Sequence, residues 1–337
     1  MFISLNSFAC SKITCCKLFI IFIIIITPTM KTTQRLFAIA SLVLIMNSCV
    51  TMAILSKKQA APKNYQTKVQ TEGIIEKKYM ANGPYAVSCH EDGALQVFEK
   101  YLTFYPSELE TKAGKWPVIV LCNGSGTPLS KYSTVARHYA SWGFLVIGTE
   151  EKFSWNAFGA EMSLRYLEIM NGNEKVGDKA SVFYQKVDFE NVGIVGHSQG
   201  GVGVISAITN TEHKDVYKTA VALSPTNIEL ARGIMWDYDA DKIQIPVMLI
   251  SGEGGGDDWV VTGEQLKAIY DEIPGSRLMV RRKDTPHGET LYSANGYVCA
   301  WFMWQLKGDI EASSAFIGAS PEIMNNPLYL DQRIFIR

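Results

Sequence analysis

The hydrophobic positions of this chain fall into short apolar runs that are separated by longer amphipathic stretches. Short apolar runs are typical of strands that are buried on both faces. They occupy Trp116–Cys122, Phe144–Gly148, Val192–Val195, Thr219–Leu223 and Ile245–Ser251, and Arg277–Arg282 is also strand-like. Helical patterns lie between them at Lys131–Ser141, Ala157–Met170, Val202–Thr209 and Gly263–Glu272. This alternation predicts an α/β fold, with a mostly parallel central sheet and helices on both faces.

The N-terminal region carries the features of a targeting segment. The apolar run Leu18–Ile26 is too short to span a bilayer. A second pattern starts at Met30, with basic residues, then the apolar run Leu36–Met46, then small residues up to Cys49. Because this order is typical of a secretory signal, we expect an exported protein with residues 1–53 as its leader and Met30 as its true start.

The sequence leaves the fate of Cys49 open. Its position after Ser48 resembles a bacterial lipoprotein cleavage site, and lipid on Cys49 would tether the protein to a membrane. Ordinary cleavage near Ala53 would instead remove Cys49 and give a periplasmic or secreted protein, and an uncleaved anchor is a third outcome. Residues 54–75 are polar and rich in Lys and Gln, which predicts a tether ahead of a single domain at residues 76–337.

Composition limits the partners of this chain. It has 32 Lys and Arg against 33 Asp and Glu, and no basic cluster, so we expect no nucleic-acid partner. The sequence contains no Cys-x-x-Cys or His-Glu-x-x-His pattern, and its glycines have no dinucleotide-binding spacing, so we expect neither a metal nor a cofactor. Cys89, Cys122 and Cys299 lie outside the leader, and this odd number allows a disulfide without requiring one.

Residues 192–201 carry the most specific chemical signal. A β-branched run ends in Gly-His-Ser-Gln-Gly, and a helix-compatible stretch follows at once. A serine at such a turn has a strained backbone that requires small neighbours, which Gly196 and Gly200 provide. The turn lifts the Ser198 hydroxyl above the sheet, and the following helix aims its free N–H groups at the site. This pattern is that of the nucleophile elbow of the α/β-hydrolases, so we expect residues 76–337 to form an α/β-hydrolase catalytic domain.

The base that activates Ser198 is found by elimination. In this fold the chain order is Ser, then Asp or Glu, then His. The histidines of the chain are His90, His138, His197, His213 and His287. The first two precede Ser198, the third is its neighbour, and the fourth follows too closely to belong to a later strand. His287, in a Pro-His-Gly loop after the last predicted strand, is therefore the expected base.

The acid that orients this base is expected after the strand Ile245–Ser251. The segment that follows contains Asp257 and Asp258, and counting back from the next helix favours Asp257. Asp258 stays open as the alternative acid, and Glu253 is a weaker third candidate.

An oxyanion hole requires two backbone N–H donors. One is the N–H of Gln199, the residue after the nucleophile. The other is expected from the loop after Trp116–Cys122, whose Asn-Gly-Ser-Gly sequence is flexible enough to turn an amide inward. We predict that Ser125 is this second donor.

Three segments lie outside the regular alternation. Asn171–Asp188 and Asn227–Lys242 are long insertions, and we expect both on the active-site side of the sheet, where they would shape the pocket. Ser313–Arg337 is predicted to form an irregular strap.

Several segments together resemble a known family. They are Gly83–Val87, Tyr105–Pro106, Asn123–Gly126, Ser141–Ile147 and Gly196–Gly201. Their order and spacing are similar to those of the cutinase-type polyester hydrolases, which belong with the dienelactone-hydrolase and chlorophyllase-like branch of the α/β-hydrolases. The resemblance implies an exported serine esterase with Ser198, Asp257 and His287 as its triad.

Two positions depart from the pattern of that family. Polyester hydrolases place an aromatic ring beside the oxyanion loop, where this chain has Ser125, and a tryptophan after the strand that follows the elbow, where it has Ser224–Asn227. Aromatic faces hold a terephthalate ring, so these departures argue against plastic or cutin hydrolysis.

The sequence therefore predicts an exported serine hydrolase that acts on small or polymeric carboxylic esters. A serine peptidase or amidase, or an acyltransferase, uses the same residue types and is the alternative. A non-catalytic binding protein is less favoured, because none of the residue types that a triad needs is missing.

Overall fold

The computed structural model describes residues 60–94 and 98–337, so Met30, Cys49 and the leader lie outside the described residues. The strands are β1 (Val87–Gly93), β2 (Lys100–Pro106), β3 (Trp116–Cys122), β4 (Leu145–Thr149), β5 (Lys175–Val176), β6 (Lys179–Ala180), β7 (Val187–His197), β8 (Tyr217–Leu223), β9 (Val247–Gly252), β10 (Arg277–Arg282) and β11 (Tyr329–Phe335). The helices are α1 (Ile74–Met80), α2 (Ser133–Ser141), α3 (Phe158–Gly172), α4 (Gln199–Asn210), α5 (Ile228–Gly233), α6 (Asp257–Val260), α7 (Gly263–Glu272), α8 (Thr290–Ser293), α9 (Asn295–Lys307), α10 (Ile310–Ser313) and α11 (Glu322–Asn325). None of the helices in this described part is long and apolar enough to cross a membrane.

A single large sheet organises the described residues. Its nine strands lie in the order β1-β2-β4-β3-β7-β8-β9-β10-β11. Neighbouring strands from β4 to β10 run parallel, whereas β1 and β2 at one end and β11 at the other join in antiparallel pairs. The predicted α/β fold with a mostly parallel sheet is confirmed.

Helices cover both faces of the sheet, because alternate side chains of each strand point to opposite sides. In β3, Ile119 and Leu121 pack into a core cluster with α2 and α9. Val118 and Val120 point the other way, into a second cluster with α3, α4 and α7. None of these four side chains is more than 5% exposed. Burial on both faces explains why the strands appear in the sequence as continuous apolar runs.

Residues 60–75 pack against the domain, which differs from the tether predicted for residues 54–75. Tyr65 is fully buried, its ring centroid lies 5.3 Å from that of Tyr292, and Asn295 donates a hydrogen bond to its hydroxyl at 2.6 Å. Helix α1, which follows directly, packs along α9. The composition of a segment does not reveal a single aromatic side chain that anchors it.

The two predicted insertions begin at opposite ends of the parallel strands. Asn227–Lys242 begins after the carboxyl end of β8, on the expected side, and leads back to the amino end of β9. Residues 171–188 connect the end of α3 to the start of β7, and Lys186 accepts a hydrogen bond from the N–H of Trp116 at the start of β3. This segment lies at the amino ends of the strands, so the prediction that it shapes the pocket is wrong.

A buried ion pair joins the C-terminal part of the chain to helix α1. Arg282 Nη1 lies 2.8 Å from Glu76 Oε1, and their side chains are 6% and 0% exposed. Tyr329 and Asn326 also donate hydrogen bonds to the Glu76 carboxylate, at 2.7 and 2.9 Å. Arg282 thus supplies the positive charge that compensates a carboxylate withdrawn from water.

Replacing Arg282 with methionine should lower the free energy of unfolding by about 3–5 kcal/mol, because Glu76 is left as a buried charge without its cationic partner. Denaturant unfolding measures this change, and adding Glu76→Gln to the same chain should recover part of the loss. The control is Lys78→Ala, which removes the exposed pair of Lys78 with Glu311 and should cost less than about 1 kcal/mol. Equal losses in the two single variants would show that burial does not set the cost of breaking these pairs.

Candidate active site

The turn between β7 and α4 holds Ser198 in a strained conformation. Ser198 has a φ of 61° and a ψ of −124°, and its N–H donates to the carbonyl of Leu223 at 2.8 Å. A Cβ atom at Gly196 would lie 2.2 Å from the carbonyl oxygen of Gly200, and one at Gly200 would lie 2.3 Å from that of Cys122. Both positions therefore require glycine, as the elbow pattern predicts.

His287 approaches Ser198 from the loop that follows β10. Its Nε2 lies 2.9 Å from the Ser198 Oγ, although the two residues are 89 positions apart in the chain. The His287 side chain is 23% exposed, so the imidazole is partly accessible to solvent. A neutral imidazole with its lone pair on Nε2 can take the proton of the serine hydroxyl.

Asp257 holds the other side of the imidazole. Its Oδ1 lies 2.6 Å from the Nδ1 of His287. Its Oδ2 accepts hydrogen bonds from the Gly252 N–H and from the Ser224 hydroxyl, and the side chain is fully buried. Ser198, His287 and Asp257 therefore form one continuous chain of hydrogen bonds.

The other acidic candidates lie outside this chain of bonds. Asp258 has a half-exposed side chain that pairs with Arg281 at 2.6 Å and accepts from the Gly254 N–H at 3.2 Å. The main-chain carbonyl of Glu253 accepts from the N–H of Thr285 at 3.1 Å. Neighbouring aspartates in the sequence thus occupy different environments, one against the base and one at the surface.

The loop after β3 lies against the elbow. A Cβ atom at Gly124 would be 3.2 Å from the carbonyl oxygen of His197. The N–H groups of Gly124 and Gly126 donate to a tyrosine hydroxyl and to a backbone carbonyl, both at 2.8 Å. Ser125 lies between them and is exposed, and its N–H has no acceptor among the described residues. Its amide is thus available to a ligand.

Gln199 is the first residue of α4, so its N–H has no helical carbonyl to bond. Its side chain is clamped by the loop after β4, where the Ser154 N–H donates to Gln199 Oε1 at 2.8 Å. The Ser154 hydroxyl donates to the carbonyl of Asn123 at 2.5 Å, so one residue joins both segments that carry the predicted oxyanion donors. Ser154 was not predicted from the sequence, because a lone serine in a loop has no spacing signature.

His197 lies buried beside His287. Its ring centroid is 4.7 Å from that of His287, and its Nε2 is 2.7 Å from the His287 carbonyl oxygen. Burial, together with the neighbouring imidazole, lowers the pKa of His197 to about 3. The side chain is therefore neutral at physiological pH and donates through Nε2–H. The sequence did not favour His197 as the base because it is the direct neighbour of Ser198. In the structure its Nε2–H donates a hydrogen bond to the main chain of the loop that carries His287.

Comparison with known proteins identifies the family. A model of the PET hydrolase-like family (PETase) matches residues 62–303. The chain belongs to this family. It is also similar to the bis(hydroxyethyl) terephthalate hydrolase of Streptomyces coelicolor, with 24% identity over 223 residues, which cover 65% of this chain and 64% of the relative. The chain thus spans less than two thirds of that relative's length.

Membership in the PET hydrolase-like family confirms the α/β-hydrolase fold and the resemblance to polyester hydrolases. The matched region includes the elbow, Asp257 and His287. Residues 60–94 and 98–337 contain no group of three or more His, Cys, Asp or Glu side chains that could hold a metal ion.

Asp257→Asn should slow the reaction of Ser198 with a fluorophosphonate probe by roughly 10³- to 10⁴-fold, because an amide stabilises the wrong tautomer of the imidazole. Asp258→Asn removes an acid of equal size and should change the labelling rate little, since Asp258 pairs with Arg281 at the surface. Stopped labelling followed by intact-protein mass spectrometry gives both rates. A large loss confined to Asp258→Asn would reverse the assignment of the acid.

Proposed function

We propose that the protein is a serine hydrolase of carboxylic esters that works through Ser198, His287 and Asp257. The observation that carries this proposal is the continuous hydrogen-bonded chain from the Ser198 hydroxyl through His287 to the buried Asp257 carboxylate. Membership in the PET hydrolase-like family supports ester bonds as the target.

The proposed reaction begins when Ser198 Oγ attacks the acyl carbon while His287 Nε2 takes the hydroxyl proton. The carbonyl oxygen becomes an oxyanion, which the N–H groups of Ser125 and Gln199 stabilise. Collapse of this intermediate expels the alcohol, which receives the proton from His287. Water, activated by the same imidazole, then attacks the acyl-enzyme and releases the acid and the free Ser198 hydroxyl.

Asp257 contributes to both half-reactions by fixing the imidazole. Because its Oδ1 accepts from Nδ1–H, the Nε2 lone pair is directed at the serine. Its carboxylate also stabilises the imidazolium that forms in each step. Its two additional donors keep the carboxylate in place while the charge on the imidazole changes.

Amide hydrolysis and acyl transfer use the same groups and are the alternatives. The name of the Streptomyces coelicolor relative favours esters and makes bis(hydroxyethyl) terephthalate a rational test substrate. This chain has Ser125 and the segment Ser224–Asn227 in the two places where polyester hydrolases carry aromatic rings. Large apolar side chains instead follow β4, β8 and β9, where Phe153, Met235 and Trp259 are 61%, 78% and 77% exposed.

Wild-type protein should hydrolyse short p-nitrophenyl esters, and Ser198→Ala should lower kcat by roughly 10⁴-fold or more, because the nucleophile is lost. The measurement is initial rates over a panel that contains aliphatic esters, bis(hydroxyethyl) terephthalate and matched p-nitroanilide amides. Ser163→Ala is the control, since this buried hydroxyl bonds within its own helix at 2.7 Å.

Two results would contradict this proposal. Ester hydrolysis that persists at the wild-type rate in Ser198→Ala would exclude Ser198 as the nucleophile. Faster turnover of the anilides than of the esters would replace the esterase with an amidase.

We also propose that the protein is exported, on the basis of the basic, apolar and small residues that follow Met30. Intact mass spectrometry of protein expressed from Met30 in a bacterium should show a shortened chain in the cell envelope or medium. A lipid on Cys49 would make it a membrane-tethered lipoprotein, and a start near Ala53 would make it a periplasmic or secreted protein. A chain that begins at Met30 in the cytoplasmic fraction would contradict export.

A further inference from the structure

Thr290 forms hydrogen bonds with groups next to all three proposed catalytic residues. It is the first residue of α8, three positions after His287, and is 1% exposed. Its hydroxyl donates to the carbonyl of His287 at 2.7 Å. The same oxygen accepts from the Ser224 hydroxyl at 2.9 Å and lies 3.0 Å from His197 Nε2. A hydroxyl has one proton and two lone pairs, so Thr290 uses its full hydrogen-bonding capacity in this site.

Ser224 connects Thr290 to the acid. Its hydroxyl lies 3.1 Å from Asp257 Oδ2, so one proton is shared between the carboxylate and Thr290. Ser224 is fully buried and has a φ of 43°, a left-handed conformation that a residue other than glycine adopts at a cost of roughly 1 kcal/mol or more. Its N–H is held by the carbonyl of Ile250 in β9. The backbone is therefore strained in a way that presents the hydroxyl to Asp257.

His197 connects Thr290 to the nucleophile. It directly precedes Ser198, and its Nε2–H points at both the Thr290 hydroxyl and the carbonyl of His287. Because His197 is neutral, this link is the same across the pH range in which an esterase works. The elbow and the histidine loop are thus fastened together behind the catalytic groups.

We propose that Thr290 is a positioning residue that, together with Ser224, holds the nucleophile, the base and the acid in register. This inference rests on the proposed esterase function. Thr290 reaches Ser198 through His197, His287 through its carbonyl, and Asp257 through Ser224. The three catalytic side chains come from different strand ends, and behind the reacting hydrogen bond the loop of His287 meets the elbow through His197 and the Thr290 hydroxyl.

The physical reason for this role is geometric. A misplacement of about 1 Å between reacting groups can cost about 100-fold in rate. Without the Thr290 hydroxyl, the Nε2–H of His197 keeps one acceptor and the Ser224 proton is left with Asp257 alone. The loop of His287 then loses one of the two donors that bind its carbonyl.

The test compares two variants at position 290 that separate the hydroxyl from the methyl group. Thr290→Val keeps the shape and removes the hydroxyl, and we expect kcat on a p-nitrophenyl ester to fall roughly 10- to 100-fold with KM little changed. Thr290→Ser keeps the hydroxyl and removes the methyl, which packs close to Gly252, and it should retain most of the wild-type kcat. Thr209→Val is the matched control, because Thr209 is buried and its hydroxyl donates only within α4, to Ile205 at 2.7 Å.

Ser224→Ala supplies an independent readout. With one donor removed from Asp257, the carboxylate should hold the protonated imidazole of His287 more strongly, so the acid limb of the kcat/KM pH profile should move to higher pH. The groups that face this imidazole are Asp257, Ser198 and the neutral His197. A purely structural loss would lower the amplitude of the profile without moving it.

The outcomes are distinguishable from failure of the proposed function. If Ser198→Ala keeps full activity, the esterase mechanism itself fails. If wild-type activity depends on Ser198 and Thr290→Val keeps the wild-type kcat, the positioning role alone is overturned. It is also overturned if Thr290→Ser loses as much kcat as Thr290→Val, or if Thr209→Val loses as much as either, because the loss would then follow packing rather than the hydroxyl. Thermal unfolding of each variant verifies that folded protein is compared.

Discussion

The hydrogen bond between Asp257 and His287 is the contact on which the site depends. It joins the loops after β9 and β10 at 2.6 Å, with the carboxylate fully buried. A buried carboxylate must keep its donors, so this bond also fixes how the two loops lie together. In the parallel pairing of these strands Gly252 faces Arg282, and the Gly252 N–H donates to the same carboxylate. The pairing register of β9 and β10 therefore helps to set the position of Asp257 and, through it, the orientation of the His287 imidazole.

The order of strands in the sheet converts a long chain into a compact site. Five neighbouring strands run parallel, so their carboxyl ends lie on the same side of the molecule. They are β3, β7, β8, β9 and β10. In that order they carry the loop of Ser125, then Ser198, Ser224, Asp257 and the loop of His287. Each component follows a different strand, so the site is assembled from loops that are far apart in the sequence. Residues 171–188 lie at the amino ends of these strands and therefore have no part in the site.

The sequence was sufficient to single out the residues whose type the proposed chemistry restricts. Ser198 is marked by glycines that no other residue can replace, and His287 is left after every other histidine is excluded by its place in the chain. The choice between Asp257 and Asp258 depends on the backbone before them. Gly254, Gly255 and Gly256 have φ values of 82°, 55° and 88°, and this left-handed run turns the first aspartate inward and the second outward. Adjacent positions differ in direction, which residue type does not reveal.

The residues that support the site were beyond sequence reasoning for a different reason. Half of the Thr290 arrangement is local, because a hydroxyl that bonds a carbonyl three residues earlier is a common side-chain motif. The other half joins Ser224 and His197, which are 66 and 93 positions away, and any donor of suitable reach could serve there. Tyr65 anchors the N-terminal segment in the same way, through one hydroxyl that meets Asn295. The proposed chemistry requires particular residue types, which form a recognisable motif in the sequence. A positioning role requires only a suitable distance between groups, which produces no motif. A motif therefore locates the reacting atoms, and the precision with which they are held is visible only in three dimensions.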